Sequence, residues 1–106
     1  DPATYEYISL IGEFCGWNQD DNVDLDEVTP HNWYGANIEL SGGELKFCAN
    51  NGWDLSWGAL TKGVDIGDKN YGNTTTTNGE NMSVPAGTYN VFFNDITGEY
   101  VFVVVE

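Results

Sequence analysis

The chain has 106 residues, 41% of them hydrophobic, and carries 17 acidic side chains against 3 lysines and no arginine, for a formal net charge of −14. That length suits one domain able to bury a core without metal or disulfide support. The charge argues against nucleic acid and anionic membrane surfaces, and disfavours polyanionic glycans and phosphates, leaving a neutral ligand or a cation. No apolar run approaches the ~20 residues of a transmembrane helix. The longest, Val101-Phe102-Val103-Val104-Val105, is strand-sized. Any targeting segment is expected to have been removed or to lie upstream of Asp1.

No amphipathic helix of useful length is apparent. Thr4–Ile11 is the first expected strand, with Ile8 and Leu10 inward. The acidic stretch Asn18–Asn32 is expected to be irregular. Trp33–Leu40 alternates, so Tyr34, Ala36, Ile38 and Leu40 should share one face and Trp33, Gly35, Asn37 and Glu39 the other. Ser41-Gly42-Gly43 turns into Glu44–Ala49, with Leu45 and Phe47 opposite Lys46 and Cys48. Asn50–Asn81 is a long Gly-, Asn- and Thr-rich stretch, of a length that is usually functional or mobile. Val84-Pro85-Ala86-Gly87 turns into Thr88–Phe93, and Asn94–Gly98 turns into Tyr100–Val105. These last two strands are apolar on both faces, as central strands are. The pattern predicts an all-β fold, an immunoglobulin-like β-sandwich of about seven short antiparallel strands.

Three of the four tryptophans sit beside turn residues, in Phe14-Cys15-Gly16-Trp17-Asn18 and Asn51-Gly52-Trp53-Asp54-Leu55-Ser56-Trp57-Gly58. Flat rings flanked by amides suit an uncharged ligand with apolar faces and many hydroxyls, and a sugar ring is such a ligand. Trp17 with either Trp53 or Trp57 is the expected stacking platform, and Tyr71 a third ring. Lys46, Asn50, Asn51, Asp54, Asn70 and Asn73 are the polar candidates. Trp33, at a strand start, is expected to be structural.

Other constellations carry less. Asp20–Glu27 alternates oxygen ligands, but the calcium-loop register fails at Leu25 and His31, and a solvated loop is expected. Nothing among the 17 acids singles out a carboxylate pair for glycoside hydrolysis. His31 has no nucleophile motif to serve, and no phosphate or dinucleotide fingerprint occurs. No catalytic residue, metal site or cofactor is therefore expected. Cys15 and Cys48 cannot build a structural zinc site with one histidine, and spacing leaves their pairing open.

Several motifs resemble SusE/SusF-type outer-membrane starch-binding proteins. They are Tyr7-Ile8-Ser9-Leu10-Ile11-Gly12-Glu13-Phe14-Cys15-Gly16-Trp17-Asn18, Gly42-Gly43-Glu44-Leu45-Lys46-Phe47, Asn51-Gly52-Trp53 with Trp57-Gly58, Asn70-Tyr71-Gly72, and Val84-Pro85-Ala86-Gly87-Thr88-Tyr89-Asn90-Val91. Their order covers nearly the whole chain. The resemblance implies one non-catalytic carbohydrate-binding β-sandwich domain over residues 1–106, part of a longer bacterial surface lipoprotein. Such a domain captures neutral glycan, starch or a related α-glucan, for an outer-membrane uptake complex. It places an aromatic arc on Trp17 with Trp53 or Trp57, and the basic contact on Lys46. Cys15 and Cys48 stand where the family often has polar or basic residues beside the site, and their joint occurrence favours a disulfide. Two other readings remain: a spacer or protein-docking sandwich with all indoles buried, and a small hydrolase, which needs two close carboxylates in a cleft.

Overall fold

The computed structural model describes residues 2–106 and is all-β and antiparallel. Ten strands run as β1 (Ile8–Gly12), β2 (Val23–Asp24), β3 (Asp26–Thr29), β4 (Asn32–Leu40), β5 (Gly43–Ala49), β6 (Ser56–Ala59), β7 (Tyr71–Thr75), β8 (Met82–Val84), β9 (Gly87–Asn94) and β10 (Glu99–Val104). Two 3₁₀ turns, Glu13–Cys15 and Gln19–Asp21, lie between β1 and β2. The strand order is β2-β1-β5-β6-β7-β10-β9-β4-β3, with β8 added on β5. The terminal strands of that path, β2 and β3, are separated in sequence by Leu25 alone. Leu25 is buried, and its N–H donates to Ile8 O at 2.8 Å. The chain thus steps at Leu25 from one end of the sheet to the other, and the sheet is nearly closed, like a barrel.

The all-β expectation holds, but an immunoglobulin-like sandwich of about seven strands is not confirmed. Most of the additional strands lie inside the two stretches expected to be irregular: β2 and β3 within Asn18–Asn32, and β6 and β7 within Asn50–Asn81, while β8 follows directly after the second stretch. They are short and rich in Asp, Asn, Gly and Thr, so no apolar alternation marks them. Their partners create them, as when Gly58 and Ala59 pair with Thr75 and Thr74. The first strand starts later than expected, at Ile8. The two C-terminal strands are interior, β9 between β4 and β10, and β10 between β9 and β7.

The core is aromatic. Phe47 of β5 stacks on Phe93 of β9, centroids 4.1 Å apart and planes within 12°. This contact joins the two halves of the barrel. Trp57 meets Phe93 edge-on at 5.3 Å, and Tyr5 meets Trp57 edge-on at 5.5 Å. Each fully buried Phe side chain contributes roughly 1.5–3 kcal/mol. Trp33 is buried, as expected, and donates from Nε1 to Asp95 Oδ2 at 2.8 Å. The other carboxylate oxygen of Asp95 lies 2.8 Å from His31 Nδ1, so this buried acid is satisfied on both sides.

The facing of β4 departs from simple alternation. Trp33, Gly35, Ile38 and Leu40 all point inward. A bulge between Gly35 and Ile38 shifts the register against β9 and exchanges the faces midway. Asn37 takes a left-handed φ of 53° there, and its N–H donates to Asn90 Oδ1 at 2.9 Å. Gly35 leaves room for two core side chains, since a Cβ there would meet Ile38 Cδ1 at 2.6 Å and Leu25 Cδ2 at 2.7 Å and both methyl ends would have to move.

The bulge makes residue 37 sensitive to backbone preference rather than to side-chain size. Asn37→Gly is expected to leave stability within ~0.5 kcal/mol, while Asn37→Ile should lower it by about 1–2 kcal/mol. Urea denaturation of both variants measures the difference; equal stabilities would contradict the role of the left-handed turn.

Candidate functional site

The site is built on the outer face of β1 and β5. Alternation places Ile8, Leu10, Leu45 and Phe47 in the core. It therefore places Ser9, Ile11, Lys46 and Cys48 outward, with Ser9 in register with Cys48 and Ile11 with Lys46. The segment Glu13–Asn22 folds back over this face, so Ser9, Ile11 and Cys48 are buried although they lie outside the core. Gly12 permits the return, because a Cβ there would collide with Glu44 O and Leu45. Its carbonyl then accepts from Trp17 N at 2.9 Å.

Trp17 is presented by two successive left-handed residues, Gly16 at φ 61° and Trp17 at φ 58°. For a bulky side chain that conformation costs on the order of 1–2 kcal/mol. The turn after β5 uses the same device, with Asn50 at φ 54° and Asn51 at φ 53°. It lifts Trp53 into solvent, 53% exposed. The two indoles meet with centroids 6.2 Å apart and planes inclined at 41°. They form an open, angled pair rather than a closed stack.

Amides and a carboxylate brace this pair from below. Gln19 Nε2 donates to Gly52 O at 3.1 Å. Asn22 Nδ2 donates to Gln19 Oε1 at 2.9 Å and to Asn51 Oδ1 at 2.8 Å. Ser9 Oγ donates to Asp24 Oδ1 at 2.5 Å and lies 3.4 Å from Asn51 Oδ1. Asn50 Oδ1 accepts from the N–H groups of Glu6 and Tyr7. The segment before β2 and the loop after β5 are thereby held as one unit, which fixes the two indoles relative to each other.

The structure thus separates the expected site residues. Trp17, Trp53 and Asn51 come together, with Asn51 acting through its side-chain oxygen as part of the brace. Trp57 is a correction: it is in register with Phe47, so it points into the core and is buried. Tyr71 is a second correction: it pairs with Val101 on the other half of the barrel and does not join the indoles. Asn70 is engaged there too, donating from Nδ2 to Phe102 O at 2.7 Å. Lys46 is half-buried on the outer face of β5 and makes no ion pair among the described residues. Asp54 is exposed beside Trp53. Sequence reasoning passed over Ser9, Gln19, Asn22 and Asp24, the members of the brace. The one local signal was Asn18, whose side chain caps the Gln19–Asp21 turn by accepting from Asp20 N.

The disulfide expectation is also corrected. Cys15 and Cys48 are free thiols. Cys15 Sγ donates to Gly12 O at 3.4 Å, and Cys48 Sγ donates to Gln19 Oε1 at 3.5 Å. Each sulfur thus has its own partner. Burial first, with Asp24 and Cys15 nearby, pushes the Cys48 thiol up to about 11. Among the described residues no group of three or more His, Cys, Asp or Glu side chains is placed to hold a metal ion. Comparison with protein families, curated proteins and solved structures finds no match to this chain.

Two outcomes follow from this geometry. At pH 8.5 iodoacetamide should label Cys15 in the native protein and label Cys48 only after unfolding, read by peptide mass spectrometry. Because the folded Cys48 thiol holds its proton more tightly than the unfolded one, its contribution to stability is complete below about pH 9 and is lost as pH rises to about 11. Cys48→Ala should remove that part of the alkaline decline. Separately, Asn22→Ala breaks two bonds of the brace and should lower stability by about 1–2 kcal/mol. It should also weaken the Trp17–Trp53 exciton couplet in circular dichroism; an unchanged couplet would show that the brace does not set the indoles.

Proposed function

We propose that this protein is a non-catalytic binding domain for a neutral glycan, which it holds against the paired indoles of Trp17 and Trp53. The observation that carries this is the pair itself. One indole is more than half exposed and the other sits in a conformation unfavourable to its side chain. A hydrogen-bonded scaffold fixes both at an angle of 41°. Strain and exposure together at aromatic side chains are features of binding surfaces rather than of cores. The apolar C–H faces of successive sugar rings fit an angled aromatic surface, and the curve of an α-glucan helix fits it better than a flat chain does. Lys46, Asp54 and the Nδ2 of Asn51 are the polar groups within the same region of the fold that can meet ring hydroxyls. A charge of −14 favours an uncharged ligand over an anionic one.

The resemblance of the motifs to SusE/SusF-type proteins supplies the setting of this proposal. The domain belongs to a longer lipoprotein on the outer-membrane surface of a bacterium and hands polysaccharide to an uptake complex. A pure spacer has no use for an exposed indole held in place by six side chains, and the exposure of Trp53 speaks against that reading.

Titration with maltoheptaose and other neutral oligosaccharides, followed by tryptophan fluorescence, tests the proposal. Trp53→Ala is expected to weaken binding by about tenfold or more, equivalent to ~1.4 kcal/mol, with little change in stability because the ring is exposed. Absence of any response across the oligosaccharides, with Trp17→Ala and Trp53→Ala altering stability alone, would reject it.

A further inference from the structure

The outer face that carries the indole pair continues along β1, away from the pair. Ile8 is in the core, so its neighbours Tyr7 and Ser9 both point outward. Tyr7 extends the ladder by one residue beyond β1. Its carbonyl accepts from Asn50 N at 2.8 Å, and its N–H donates to Asn50 Oδ1 at 3.2 Å. The Tyr7 side chain is 41% exposed.

Consecutive residues of the turn after β5 tie this ring to the platform. Asn50 holds the backbone of Tyr7, Asn51 meets Asn22 and Ser9, and Gly52 O accepts from Gln19. Trp53 comes next in the chain. One hydrogen-bonded turn thus fixes both Tyr7 and Trp53. Trp17 lies toward the other end of β1, where its N–H donates to Gly12 O. From Tyr7 to Gly12 the strand runs about 17 Å, so a ligand touching both ends has several sugar rings in line.

The stretch between the rings offers hydrogen bonds of a particular kind. Asn22 Nδ2 donates to both Gln19 Oε1 and Asn51 Oδ1, which occupies its two hydrogens. Among the described residues, the Oδ1 of Asn22 and the Nδ2 of Asn51 have no partner. Asn51 is exposed and Asn22 half-buried. Because the other halves of these amides are bonded to each other, a free acceptor and a free donor stand side by side.

That pairing selects the chemistry of what binds there. A hydroxyl both donates and accepts, so neighbouring hydroxyls of a neutral sugar satisfy both groups. An ionised carboxylate has no proton to give Asn22 Oδ1, and an ammonium has no acceptor for Asn51 Nδ2. A hydrocarbon would leave both amide groups without a partner.

We infer that Tyr7 and the free halves of Asn22 and Asn51 form a further subsite of the same groove. Sugar hydroxyls bond to the two amides, and a ring further along the chain packs on Tyr7. This rests on the Trp17–Trp53 reading and adds to it the length of the ligand. Short oligosaccharides are held by the indoles alone, and longer ones reach Tyr7.

Calorimetric titration with the trimer and the longest soluble member of the malto-, cello- and manno-oligosaccharide series tests this, with circular dichroism confirming the fold of each variant. In the series that binds, the longer ligand is expected to bind the parent more tightly than the trimer. Tyr7→Ala should weaken the longer ligand by about fivefold and leave the trimer unchanged. Tyr7→Phe should keep both affinities, since the ring makes the contact, and Trp53→Ala should weaken both lengths. Three results overturn the inference: Tyr7→Ala leaves the longer ligand unaffected, it weakens both lengths alike, or the parent binds the two lengths equally. In each of these, weakening by Trp53→Ala leaves the indole reading standing. If neither length of any series binds the parent, the indole reading falls and this inference falls with it.

Discussion

The stacked contact between Phe47 and Phe93 orders the rest of the molecule. It packs β5 against β9 across the barrel interior, and by doing so it decides which way β5 faces. With Phe47 inward, Leu45 is inward as well, and Lys46 and Cys48 are driven to the outer face. The adjacent strand follows the same constraint. Trp57 is in register with Phe47, so its indole enters the core and packs edge-on against Phe93. Trp53, in the turn that separates the two strands, is left outside. One aromatic stack thus divides two tryptophans four residues apart into a structural ring and an exposed one.

The outer face so created is apolar and polar at once, and it is covered by the Glu13–Asn22 segment. The covering segment is short of apolar side chains, so it is held by hydrogen bonds instead. Gly12 O anchors its start, and the amides of Gln19 and Asn22 tie its end to the loop after β5. These amides lie beside buried Cys48 and Ser9, where an unpaired donor or acceptor would be costly. Satisfaction of the buried side chains and placement of the two indoles are therefore the same set of bonds. That coupling is the physical basis of the glycan-binding proposal: the platform is rigid because the polar layer beneath it has to be complete.

Much of the fold was legible in the chain. β4, β5, β9 and β10 announce themselves by apolar runs between glycine and asparagine turns, and their all-β class follows. β2, β6 and β7 do not, because two to five residues rich in Asp, Gly, Asn and Thr carry no alternation. They are strands only because β1, β5 and β10 offer free backbone groups beside them. The facing of β4 was misjudged for a related reason. A bulge at Asn37 inserts one residue, and one residue reverses every side chain that follows.

At the site, the sequence by itself determined that aromatic rings would stand in glycine and asparagine turns on an acidic β-domain, since turn chemistry and charge are local properties. It determined too that Trp33 would be structural. Only the tertiary structure decided that Trp17 meets Trp53, that Trp57 and Tyr71 do not join them, and that the cysteines remain unpaired thiols with separate partners. Those outcomes depend on strand register, closure of the sheet at Leu25 and the bonding needs of buried polar groups. Each is set between segments distant in the chain, and so none can be read from the residues of one segment alone.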